Sequence, residues 1–261
     1  MKVLSGMKQT EKKLKLSKIY ALHYFKLVMR SVLLVLSLVF YILGKAEVLT
    51  DNFVLPAVVW VFFFIGMLLR FFPSKLESMG CQKVFKRNYE PVTENPVPEI
   101  KSWKTTLAVA VAWLFLNGVI GLLYLLGVYD KGVLILVALA YSVCDVICIL
   151  FFCPFQTWFM KNRCCTTCRI YNWDFAMMFT PLVFIPHWYT YSLLGFAVLL
   201  FLKWEITYRF HPERFSASTN KCLDCSRCEE KLCSHKTQLQ GFIKKYRERF
   251  FASRFGNSKN K

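Results

Sequence analysis

Residues 107–128 read LAVAVAWLFLNGVIGLLYLLGV, 22 positions without one charged side chain. A helix needs about 20 apolar residues to cross a hydrocarbon core of roughly 30 Å. Amphipathic periodicity does not produce a run this continuous. The stretch reads as a membrane span, and neighbouring stretches read the same way. Residues 133–152 follow it; residues 27–43 and 53–72 precede it. The apolar stretch 170–204 is long enough for two short spans, divided near Pro186, His187 and Trp188. Pro181 and Pro186 make the fifth of these short and irregular, so five spans plus a re-entrant half-helix is the competing count. The expected fold is all-α: a polytopic membrane helix bundle of about six transmembrane helices.

Composition agrees. The 261 residues are 56% hydrophobic and 17% aromatic, with 25 Phe, which excludes an ordinary soluble domain of this size. A net charge of +18 would suit a nucleic-acid binder, but its distribution does not. With six spans, loops 44–52, 129–132 and 186–190 share one side and hold only Lys45 and Lys131. The remaining 32 of 34 Lys and Arg lie on the other side or at that side's helix ends. Cytoplasmic loops carry excess Lys and Arg. Both termini are therefore expected in the cytoplasm and the chain in the cell (inner) membrane, with anionic lipid headgroups as partners and no nucleic acid.

The organisation that follows has four parts. Residues 1–26 form a basic cytoplasmic arm, which leads into the first span as an uncleaved signal-anchor. Residues 27–204 form the bundle, with cytoplasmic loops 73–104 and 153–169. The first loop is rich in Pro and Glu and reads as an extended, solvated connector. Residues 205–236 are Cys-rich, and residues 237–261 begin with a basic amphipathic pattern, Leu239, Phe242, Ile243, Tyr246 and Phe250, before a disordered end.

Eight of the eleven cysteines fall in two clusters on the cytoplasmic side: Cys153, Cys164, Cys165 and Cys168, then Cys222, Cys225, Cys228 and Cys233. A reducing cytoplasm disfavours disulfides, and short polar loops are poor surroundings for thiols acting as buried hydrophobes. Thiols at ligand spacing point instead to a bound metal. The spacing Cys222-x2-Cys225-x2-Cys228 resembles the cluster-binding loop of bacterial-type ferredoxins, C-x2-C-x2-C-x3-C-P. The resemblance covers about a dozen residues. It departs in a four-residue last gap and in lacking a proline after Cys233. It implies an iron–sulfur cluster and electron transfer with a cytoplasmic or membrane redox partner. The pairs Cys165/Cys168 and Cys225/Cys228 have the spacing of a zinc site that would clamp loop to tail. Iron–sulfur is favoured and zinc, in a scaffold or transporter, is the alternative.

Asp145 interrupts the fourth span. An intramembrane carboxylate is costly and marks a candidate site for proton or cation handling. The simpler reading is a neutral, hydrogen-bonded acid joining helices, because no second central acid or intramembrane lysine offers a partner. Asn117 reads as a packing residue, and Trp158, Trp173, Trp188 and Trp204 as an aromatic belt. No nucleophile elbow, phosphate loop or zinc-protease helix is present, so catalysis is left open.

Overall fold

The structure is a computed structural model and describes residues 18–44, 54–73, 82–92, 97–99, 103–160 and 167–224. These are mostly helical, and no strand occurs among them. Among the described residues the α-helices are α1 (Lys18–Ile42), α2 (Val54–Phe71), α3 (Trp103–Leu125), α4 (Lys131–Leu150), α5 (Asp174–Phe179) and α6 (Trp188–Phe210). Four of them contain stretches long and apolar enough to cross a membrane: Ala21–Ile42, Trp103–Leu125, Lys131–Leu150 and Trp188–Phe210. In α2 the apolar stretch is shorter, Pro56–Phe71. Large apolar side chains such as Leu114, Phe115 and Leu125 stand 63–73% exposed on α3. A face of that kind would be unstable in water and marks the chain as a membrane protein.

The expected fifth span is broken. Residues 169–184 form a 3-10 turn (Arg169–Trp173), the six-residue α5, and a second 3-10 turn (Thr180–Phe184). Pro181 lies inside the second turn, where it supplies no backbone N–H. A 3-10 turn tightens the backbone at such points instead of leaving an α-helical gap.

Side-chain contacts fix the helix directions. α1 and α4 are antiparallel: Tyr24 meets Phe151 edge-on at 6.4 Å, Arg30 meets Asp145 at 2.8 Å, and Tyr41 lies against Gly132. α2 and α6 are parallel: Trp60 donates to Ser192 at 2.8 Å, Phe64 and Phe196 are 4.7 Å apart, and Lys203 donates to the Phe71 carbonyl. α3 runs parallel to 169–184, with Trp113 near Thr180 at 3.4 Å and Gly121 against the Phe184 ring. Between these elements a core of Phe63, Met67, Leu134, Met178 and Leu200 is almost fully buried.

Beyond the last turn of α6 the chain folds back onto residues 82–92. Val92 N–H donates to Thr219 (3.2 Å) and Lys221 N–H to Glu90 (2.9 Å) around a lone bridge between Pro91 and Asn220. Val84 is 1% exposed, and Phe85 packs on Trp204 at 5.0 Å. The solvated connector expected over 73–104 is thus docked in its middle. Its apolar pair Val84 and Phe85 packs into the main core, Phe85 against Trp204 of α6.

Candidate functional site

Three ion pairs cluster toward one end of the bundle. On α4, Ser142 and Asp145 are three residues apart and share a face. Arg30 of α1 reaches across to both, donating to the Ser142 carbonyl at 2.7 Å and to Asp145 Oδ2 at 2.8 Å. Its guanidinium also lies 5.4 Å from the centre of the Phe63 ring. Arg70, at the end of α2, is 2.6 Å from Asp174 at the start of α5, with the rings of Tyr171 and Phe175 at 5.3 and 5.0 Å. Arg169 pairs with Glu205 of α6, which also accepts from Trp173 Nε1 at 2.7 Å.

Asp145 therefore has an ionic partner, contrary to the expectation of a neutral acid without one. The partner is an arginine near the start of the first apolar run, a place where sequence reading takes a cation for a boundary residue. Trp173 and Trp204 also depart from the expected belt: Trp173 bonds Glu205, and Trp204 is 3% exposed beneath Phe85 and Phe215. Trp158 and Trp188 remain exposed, as a belt requires.

Asp145 forms part of the wall of two cavities. The larger, about 270 Å³, is bounded by α3, α4 and the segments on either side of residue 160. Cys144, Cys148, Cys153 and Cys168 all line it, beside Trp113, Tyr141 and Asp174. Tyr141, Cys144 and Cys148 recur at spacings of three and four on α4, which puts them on one face. Cys153 follows the end of α4, just before the π-helical turn Phe155–Phe159. Cys153 Sγ accepts from the Gln156 N–H at 3.4 Å. Cys168 is buried with Val109, Met160 and Ile170. The smaller cavity, about 130 Å³, has His23, Arg30 and Arg70 in its wall.

The tail site is built around Asn220, which is fully buried. Its side chain donates to the carbonyls of Lys83 (3.2 Å) and Arg214 (2.9 Å) and accepts from the Cys222 N–H (3.1 Å). Cys222 Sγ donates to the Asn88 carbonyl at 3.1 Å. One ring joins the two cysteine segments: Tyr208 has the Arg169 guanidinium at 4.6 Å and the Phe215 ring at 5.1 Å.

Of the proposed metal ligands, Cys153 and Cys168 share the cavity, while Cys222 sits in the tail fold. Cys164, Cys165, Cys225, Cys228 and Cys233 lie outside the described residues, as do the basic arm up to residue 17 and the amphipathic segment after 236. Among the described residues, no three His, Cys, Asp or Glu side chains gather at metal-binding distance. The described cysteines Cys144, Cys148, Cys153, Cys168 and Cys222 form no disulfides. Sequence reasoning passed over Arg30, Arg70, Asp174 and Asn220. A charge inside an apolar run is the one signal that would have found the first three.

Comparison with protein-family models, curated proteins and solved structures finds no match. Function must be argued from the site.

Proposed function

We propose that this chain is an integral membrane redox protein, with a thiolate-ligated centre at its cytoplasmic face that passes electrons between a cytoplasmic donor and an acceptor in the membrane. The observation that carries the reading is the convergence of four thiols, from α4 and from both ends of the loop after it, on one cavity. The centre itself is assigned to the tail motif Cys222, Cys225, Cys228 and Cys233, and an iron–sulfur cluster is favoured. Cys164 and Cys165 are three to four residues from the buried Cys168, within about 14 Å of it by chain length alone.

In this reading both termini are cytoplasmic and the bundle crosses the inner membrane six times. The alternating helix directions support that count. So does the length of 169–184: pieces of five, six and five residues rising roughly 2.0, 1.5 and 2.0 Å per residue extend about 29 Å if collinear. An all-α segment of that many residues would be too short. Anionic lipids face the basic segments.

Anaerobic purification followed by iron, sulfide and zinc analysis, with a visible spectrum, tests the centre. Iron and acid-labile sulfide with charge-transfer absorption are expected. A colourless protein with stoichiometric zinc would replace this reading with the second one, a scaffold or transporter stapled by structural zinc. The packing of Cys222 into a hydrogen-bonded tail fold is what favours that alternative.

A further inference from the structure

We propose that the smaller cavity, bounded by α1, α2 and α4, holds the phosphate of one membrane phospholipid whose acyl chains lie along α2. The inference goes beyond the redox reading and stands whether or not the thiols hold a metal. It also differs from the general attraction of headgroups to basic segments, because it assigns one lipid to one set of side chains.

Helix geometry gathers the cations. His23, Lys26 and Arg30 recur at spacings of three and four on α1, which puts them on one face. Arg70 is one residue from the end of α2, and all four line the cavity together with Asp145. His23, Arg30 and Arg70 are 2%, 5% and 4% exposed. Two carboxylates face this group, Asp145 at 2.8 Å from Arg30 and Asp174 at 2.6 Å from Arg70. Lys26, Arg30 and Arg70 thus set three formal positive charges against two negative ones. The surplus equals the single negative charge of a phosphodiester.

A donor for that charge stands in the wall. Arg30 Nη1 is occupied by the Ser142 carbonyl and by Asp145. Its Nε is buried and has no hydrogen-bond partner among the described residues. Leaving a charged donor bare in a buried place is costly, and an anionic oxygen would satisfy it with a strong, charge-assisted bond. Guanidinium is also the cation best shaped for phosphate.

Size and surroundings select a lipid. At about 130 Å³ the cavity has the volume of roughly four waters, room for one tetrahedral phosphate and too little for a nucleotide. Ile65 and Leu69 of α2 form part of the wall, and Ile65 is 51% exposed. On a membrane helix such a side chain meets lipid, so acyl chains can leave the cavity past it. The depth agrees. Arg30 follows the expected start of the first span, Leu27, by about 4.5 Å along the helix axis, within reach of a headgroup for so long a side chain.

The test uses the full chain, washed free of lipid in dodecyl maltoside and titrated with dioleoyl phosphatidylglycerol. Native mass spectrometry counts the lipids retained, and thermal unfolding is followed by tryptophan fluorescence. One phosphatidylglycerol per chain is expected to stay bound and to raise the unfolding temperature. Dioleoylglycerol, which has the same tails and no phosphate, should do neither. Lys26→Gln should weaken retention on the order of tenfold. Arg209→Gln, which removes an exposed charge at the end of α6, should leave it unchanged. The double change Arg30→Met with Asp145→Leu conserves net charge but removes the bare donor, and should lose the lipid. Equal retention by wild type, Lys26→Gln and the double variant overturns the proposal. So does dioleoylglycerol held as firmly as phosphatidylglycerol. Inorganic phosphate that stabilises the chain as much as the lipid does would give the cavity to a free anion, which also overturns it.

Discussion

The guanidinium of Arg30 on α1 lies 2.8 Å from the carboxylate of Asp145 on α4, 115 residues away. Both side chains are largely buried. In a membrane each charge alone is expensive, and the pair is tolerated because each answers the other. The contact also helps set the register of two antiparallel helices that touch again at Tyr24 with Phe151 and at Tyr41 with Gly132.

Removing one partner should therefore be worse than removing both. Arg30→Met leaves an isolated acid and is expected to cost about 3–5 kcal/mol. The double change Arg30→Met with Asp145→Leu should recover most of that stability. Thermal unfolding in a fixed detergent, followed by tryptophan fluorescence, measures it; a double variant no more stable than Arg30→Met would show the pair is not the register device.

Asn220 makes three hydrogen bonds from a fully buried position. At roughly 1 kcal/mol each, with an added penalty for the carbonyls left bare, Asn220→Ala should weaken the tail fold by about 2–4 kcal/mol. Cys222 would then lose its order and react faster with a water-soluble maleimide. An unchanged labelling rate at Cys222 would refute the keystone role.

Glu205 ties α6 to the 3-10 turn at Arg169 through Arg169 and Trp173. Glu205→Gln keeps the shape and removes the charge. It should cost about 1–2 kcal/mol, because charge-assisted bonds become neutral ones in a partly buried site. A red shift of Trp173 emission is the expected signature, read in a variant in which the other six tryptophans are Phe. Emission identical to the Glu205 parent would mean the contact contributes nothing.

Gly121 lets the Phe184 ring approach α3 closer than any Cβ allows. Gly121→Ala gains helix propensity but forces the ring aside, and overpacking of this kind costs about 1–3 kcal/mol. Phe184→Leu should relieve the clash. If Gly121→Ala is more stable than the parent, the broken segment is not packed on α3 as described.

Four membrane-length helices could be read from the chain, because hydrocarbon length sets a threshold that an uninterrupted run such as 107–128 either meets or fails. α1, however, begins at Lys18, inside the stretch read as a basic arm. The positive bias of the loops was equally readable, since it is a sum over residues and needs no contacts. Pro181 and Pro186 announced the irregular fifth element, although not its division into two 3-10 turns around α5. What the linear order could not reveal were relationships across distance. Arg30 looked like a boundary cation until α1 packed against α4, and Asp174 was hidden in a stretch read as apolar. Residues 82–92 carried the composition of a loop, and became part of a fold when Val84 and Phe85 packed into the main core. Local composition determines which segments leave water; only packing decides which charge answers which and which thiols meet, because those energies depend on separations of a few ångströms between residues far apart in the chain.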